Sequence, residues 1–242
     1  MSYGLREPPQ SSGDLHFQVI GIPVRVHPLF WLMTGIFGII GLSQGEEVFF
    51  IAIWIVAVFI SILIHELGHA LAALGHGWKP WITLYGLGGL CSYHSSRSSA
   101  RSKILISVAG PAAGFLFVAV VLFIVHMTGH SVSLGSTSSS VLPIWIFFQP
   151  YSNEYLNELL SFLIFINVFW GLVNLVPVYP LDGGQIVRQI FLTLSPTDGL
   201  RRSLWLSVIT SASLAVLLFN IGTVASPFIF GYIAYQNYMQ LK

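Results

Sequence analysis

Residues 65–69 read His-Glu-Leu-Gly-His. Two histidines four apart lie one turn apart on the same helix face, so both imidazoles reach a single metal ion. The glutamate between them is turned about 100° from His65, within reach of a water on that metal. H-E-x-x-H on a helix is the arrangement in which two histidines hold zinc and the glutamate serves as general base. A bare match also arises by chance on the surface helices of soluble proteins. The surroundings here argue against chance. The segment SILIHELGHALAAL (61–74) is otherwise apolar, and a charged side chain at the centre of a membrane helix costs about 2.5 kcal/mol or more, so it persists there for a reason.

A catalytic zinc takes three protein ligands and keeps one position open. The chain has nine acids. Glu7, Asp14, Glu46, Glu47, Glu154, Glu158 and Asp198 fall in polar tails, loops or helix ends, and Glu66 is the base. Asp182 remains, in NLVPVYPLDGGQIVR (174–188). Pro177 and Pro180 break a helix there, and Gly183-Gly184 relax the backbone beyond. Irregular backbone at membrane depth is tolerated only where it lines a cavity or is buried in protein, so Asp182 is well placed to complete a His₂Asp set. The alternative is that Asp182 caps a helix starting near Gln185. His76 points the same way as His69 but lies near the cytosolic helix end. His16, His27, His94, His126 and His130 fall at interfaces or in loops, where amphipathic histidine is ordinary. Gly75 stands where metzincin spacing requires a histidine.

These residues need elements to carry them. Of the 242 residues, 55% are hydrophobic and 8% charged, against about 25% charged in a soluble domain. The expected class is therefore an all-α polytopic membrane protein. Six apolar stretches, at about 27–44, 48–75, 103–127, 158–178, 203–220 and 222–240, each approach the ~20 residues a spanning helix needs. All ten Lys and Arg sort to one side if both termini are cytosolic, while Glu46, Glu47, Glu154 and Glu158 fall outside. This places H-E-x-x-H in the cytosolic half of the second span. The chain reads as a polar tail over 1–14, expected to be disordered, followed by one domain over 15–242. No cleavable signal peptide is expected, because the first 14 residues lack an apolar core. Small membrane-associated β-hairpins are expected at 15–26 and at 78–94 around Gly86–Gly89. In the outside loop 128–157, PIWIFFQP is expected to lie along the interface. One cysteine, Cys91, excludes an internal disulfide. A formal net charge of +1 without a basic cluster gives no nucleic-acid signal.

With these residues in view, the sequence resembles the site-2 protease family of intramembrane zinc peptidases (peptidase family M50). His65–His69 fits the family's first motif. Asn174 through Gly183 fits its second, N-x-x-P-x-x-P-L-D-G, more than 100 residues away. Ala109-Gly110-Pro111 fits an A-G-P element, Gly86-Leu87-Gly88 looks like the family's G-x-G hairpin, and the hairpin ahead of His27-Pro28 looks like its N-terminal strand pair. One position departs: many relatives carry Asn three residues after the A-G-P proline, where this chain has Gly114.

The resemblance implies one Zn²⁺ held by His65, His69 and Asp182, with Glu66 as catalytic base. It implies that Asn174 hydrogen-bonds the substrate backbone or the developing oxyanion, and that Gly86 and Gly88 belong to a strand that binds an extended substrate. It further implies hydrolysis of peptide bonds in or near transmembrane segments of membrane-protein substrates already cut by another protease, in a prokaryotic cytoplasmic membrane. Gly86–Gly89 read by themselves are also consistent with a plain tight turn. A prenyl-protein endopeptidase would need a later glutamate ligand that this sequence lacks. A zinc transporter, the reading from another class, would need ligands along a path through the bilayer, and outside the one cluster the spans hold almost no ionisable residues.

Overall fold

The structure is a computed structural model that describes residues 7–41, 48–86, 88–95, 99–137, 144–220 and 225–242. They fall into two compact units, one drawn from 3–95 and 109–171, the other from 96–108 and 172–242.

The first unit begins with two short strands, β1 (Leu15–Val19) and β2 (Ile22–Val26), paired antiparallel through a two-residue turn. Ile20 and Gly21 both have positive φ, the conformation that matches a tight hairpin to the strand twist. Alternation then decides which face is covered: Ile22, Val24 and Val26 are buried while Pro23 faces out. His27 ends the hairpin. Its Nδ1 accepts the Leu29 N–H at 3.1 Å, and helix α1 (Pro28–Gly41) starts with a proline in its first turn, where no amide partner is lost.

Helix α2 (Val48–Gly75) follows, then β3 (Lys79–Tyr85) and β4 (Gly88–His94). The sheet order is β1-β2-β3-β4, with β2 and β3 parallel, so the two hairpins form one sheet. Only antiparallel pairing within each hairpin was expected from sequence. The sheet's inner face, Ile22, Val24, Val26, Ile82 and Leu84, packs with Phe30 of α1 and Ala57, Val58, Ile62 and Ala70 of α2. On the outer face, the Arg25 guanidinium donates to the Pro8 carbonyl at 3.0 Å and to Asp14 Oδ2 at 3.1 Å, and Glu7 accepts from Ser92 Oγ at 2.7 Å. Within the tail read from composition as disordered, Glu7, Pro8 and Asp14 thus have partners on the sheet; residues 1–6 lie outside the described residues. Burial works to raise the Asp14 carboxyl, but the Ser11 N–H and Arg25 outweigh it and hold the group below the ordinary carboxylate range.

Helix α3 (Ala100–Met127) meets α2 closely: a Cβ on Gly68 would fall on the Ala109 carbonyl. Lipid gives apolar faces no reason to associate, so helices in a bilayer pack best where small residues let the backbones approach. Helix α4 (Glu154–Asn174) is tied to α2 by Asn167 Nδ2, which donates to Ser61 Oγ at 2.8 Å. The stretch expected to lie along the interface contains a strand. Strands β5 (Val132–Ser136) and β6 (Ile144–Phe148) pair antiparallel, and Trp145, Ile146 and Phe148 pack on Val118, Val121 and Ile164. Alternating bulky side chains favour a strand that finds a packed partner.

In the second unit, residues 175–181 carry no helix. They lead into α5 (Asp182–Leu194), α6 (Gly199–Asn220) and α7 (Ala225–Met239). The expected span 158–178 stops four residues early, because α4 ends at Asn174, ahead of Pro177. Among the described residues, α2, α3, α4 and α6 are long and apolar enough to cross a membrane. Helices α1 and α7, on two further expected spans, have 14 and 15 described residues. The protein is a helical, multi-pass membrane protein. Its outward apolar side chains, such as Leu116, Phe123 and Met127 on α3, are exposed as lipid contact requires.

Candidate metal centre

The helical period of α2 sets the site. His65, Glu66 and His69 are all buried, and a ligand atom from each lies within 4.8 Å of the others. Among the described residues this is the one group of three or more His, Cys, Asp or Glu side chains that could hold a metal. The two Nε2 atoms are 3.1 Å apart, and the rings meet edge to face with centroids 4.8 Å apart. Two nitrogens each ~2.0–2.1 Å from one tetrahedral ion would stand roughly 3.3 Å from each other. The pair therefore fits zinc without rearrangement. Two buried imidazoles aimed at one point, with a carboxylate beside them, form a donor set suited to a borderline metal rather than to calcium or magnesium.

Two glycines press against this group. On α3, a Cβ at Gly110 would fall on His69 Nε2 and lie 2.9 Å from His65 Nε2. On β4, a Cβ at Gly89 would lie 2.6 Å from both Cδ and Oε1 of Glu66. The backbone of an edge strand thus runs directly against the Glu66 carboxylate. Gly86 and Gly88, the positions singled out from sequence, make no such approach to Glu66. Gly86 makes the turn with φ +58° and has open space around its missing Cβ, and a Cβ on Gly88 would lie in ordinary contact with the Trp170 ring. Leu87, between them, lies outside the described residues. The signal that would have chosen Gly89 is the period of two. Gly89 pairs with Leu84, an inner-face residue, so it must face α2.

The Gly89 contact carries a prediction. Gly89→Ala displaces Glu66 or the strand, and the cleavage rate of a transmembrane substrate should fall about 10²-fold, as for a misplacement of about 1 Å. Zinc content should stay at the parent level, and Gly75→Ala, with open space around its missing Cβ, should leave the rate near that of the parent. Equal rates for the two variants would refute the contact's role.

Asp182 and Asn174 belong to the second unit. Both are buried. Asp182 is the first residue of α5, whose N-cap position is held by Leu181 with no side-chain cap. The helix therefore begins ahead of the Gln185 region, and Asp182 does not occupy the cap position. Its neighbours explain the glycines that follow it. A Cβ on Gly183 would fall on the Leu175 carbonyl, and one on Gly184 on the backbone of Val178 and Tyr179. Four other histidines have partners elsewhere: His27 Nδ1 accepts from the Leu29 N–H, His76 Nδ1 lies 2.8 Å from the Ala72 carbonyl, His94 packs on Trp81, and His130 stacks on Tyr151.

The sequence model of peptidase family M50 matches residues 53–219, more than half of the chain. A zinc metalloprotease of Methanocaldococcus jannaschii is 30% identical over 210 residues, covering 86% of this chain and 53% of that protein. Stage IV sporulation protein FB of Bacillus subtilis is 24% identical over 200 residues, covering 81% of this chain and 56% of that protein. The chain spans about half the length of the curated relatives it matches. Among solved structures, the site-2 protease from Methanocaldococcus jannaschii superposes with a TM-score of 0.58 at 25% identity, covering 95% of each chain.

Proposed function

This chain belongs to peptidase family M50, the site-2 protease family, and from that premise we propose that it is a zinc endopeptidase hydrolysing peptide bonds in or near transmembrane segments of membrane proteins. The observation that carries the proposal is the buried His65-Glu66-His69 group on a helix of membrane-crossing length. His65, His69 and Asp182 would hold the ion. Asp182 is proposed from its place in the L-D-G element and from its burial. When bound, zinc supplies Lewis acidity toward a water and toward the scissile carbonyl.

The protein's own groups do the rest. Glu66 accepts the proton of the attacking water and returns it to the leaving amine. Its burial keeps bulk water from competing for that proton, and the surrounding low dielectric strengthens every charge interaction in the step. Asn174 donates a hydrogen bond to the substrate backbone or to the oxygen on which charge develops. The β3–β4 hairpin, running past Glu66 at Gly89, would hold an unwound substrate segment as an added strand through main-chain hydrogen bonds, with Gly86 and Gly88 in that hairpin.

Asp182→Ala tests the ligand set. Removing one of three protein ligands should weaken zinc by more than the 10–100-fold typical of losing an outer-shell partner, read by competition with a chelator. Full occupancy at parent affinity would refute the role of Asp182.

We further infer six crossings with both termini in the cytosol of a prokaryotic cell, water reaching the site from that side, and substrates first cut by another protease. The sorting of the basic residues supports the topology. In a Cys91→Ala background, cysteines at Ser95 and Ser131, at opposite ends of α3, should label from opposite faces of the membrane. Labelling from one face would overturn the arrangement.

A further inference from the structure

Residues 175–181 are backbone without a helix in a chain that crosses a membrane, and they deliver Asp182. Such backbone persists only where other groups satisfy it. Local bonds answer for part of the segment: the Val178 N–H donates to the Val176 carbonyl at 2.7 Å and the Leu181 N–H to the Val178 carbonyl at 2.8 Å. Tyr179 is different, because both of its main-chain groups are held by side chains from distant helices. Its N–H donates to Ser207 Oγ of α6 at 3.0 Å. Its carbonyl accepts from Asn237 Nδ2 of α7 at 2.7 Å.

Each of these partners is set for the task. The Ser207 hydroxyl proton is spent on the Ser203 carbonyl at 2.9 Å, which leaves an oxygen lone pair for the Tyr179 N–H. Asn237 is 1% exposed, and its Nδ2 bonds both the Tyr179 and the Ile233 carbonyls. Its Oδ1 is buried with no hydrogen-bond partner. A buried amide with an unanswered acceptor is unfavourable beside a leucine of similar size. The donors on Tyr179 are what Asn237 supplies in return.

We propose that Ser207 and Asn237 are positioning residues for the metal centre: they grip the peptide groups of Tyr179, three residues before Asp182, and so fix where the Asp182 carboxylate stands. This rests on Asp182 being the third ligand. Partners that orient a ligand without touching the metal contribute 10–100-fold in metal affinity where they have been removed.

The test is zinc affinity, measured by chelator competition on the purified full-length chain for Ser207→Ala, Asn237→Leu, Asp182→Ala and the two double variants with Asp182→Ala. Zinc should bind 10–100-fold more weakly to each of Ser207→Ala and Asn237→Leu, and neither change should weaken it further once Asp182 is gone. Asn237→Gln, which restores the donor on a longer arm, should recover part of the loss. If Asn237→Leu fails to fold, Ser207→Ala carries the same comparison. The proposal is overturned if both single variants bind zinc within twofold of the parent, or if they weaken it equally with and without Asp182. An unchanged affinity in Asp182→Ala would instead overturn the ligand reading beneath it.

Discussion

Glu66→Gln should lower the rate of cleavage of a transmembrane substrate by 10²–10⁴-fold, the range general acid–base catalysis supplies, and leave zinc bound. The substitution keeps the size of the side chain and removes its capacity to take a proton. His65 and His69 remain, with their Nε2 atoms 3.1 Å apart, so metal analysis should give the parent stoichiometry. This split separates the reading from its strongest rival. A zinc transporter or a metal-binding regulator uses Glu66, if at all, as a ligand or a charge. In that case Gln would change metal content and no cleavage would have been present to lose. Cleavage at the parent rate would refute the mechanism outright.

Gly110→Ala should do the opposite. A methyl there falls on His69 Nε2 and crowds His65 Nε2, so it disturbs the ligands rather than the base. Zinc affinity should drop by at least about 10²-fold, the upper range for disturbing a ligand's support, and activity should fall with it. Excess zinc should restore part of the rate, which it cannot do for Glu66→Gln. Gly75→Ala is the matched control. It lies at the end of α2 with nothing near its missing Cβ, so it should leave zinc binding unchanged and alter stability by about 1 kcal/mol or less. Normal zinc affinity in Gly110→Ala would show that α3 gives way more readily than the close approach of Gly68 to the Ala109 carbonyl implies.

The contrast between these variants reflects what could be read from the sequence and what could not. His65, Glu66 and His69 are legible because one helical turn is a local rule, and an apolar span makes three ionisable residues conspicuous. Asp182 is legible because prolines and glycines announce broken backbone wherever they fall. Gly89 was bracketed but missed, since choosing it over Gly86 and Gly88 requires knowing which face of β4 meets α2. The pairing of β2 with β3 was invisible: it joins segments separated by two helices, and neither strand carries a mark of its partner. Ser207 and Asn237 were missed for a related reason. A serine and an asparagine in apolar helices look like tolerated polar residues until the loop they hold is in place. The strand at 144–148 was not legible because a short apolar run by itself does not name its pairing partner.

The parallel pairing of β2 with β3 constrains the route of the chain. Main-chain hydrogen bonds do not reach across ~30 Å of hydrocarbon, so two paired strands approach the bilayer from one side. Between them run only α1, α2 and the short connection that joins these helices. A chain that leaves a face and returns to it has crossed an even number of times. Helix α2, at 28 residues, is long and apolar enough for a full crossing. The proposed six-crossing arrangement then requires the stretch before it to cross as well, although α1 itself measures only about 21 Å at 1.5 Å per residue. A ladder of backbone bonds in one small sheet thus counts membrane passages by parity, where hydropathy can only count them by length.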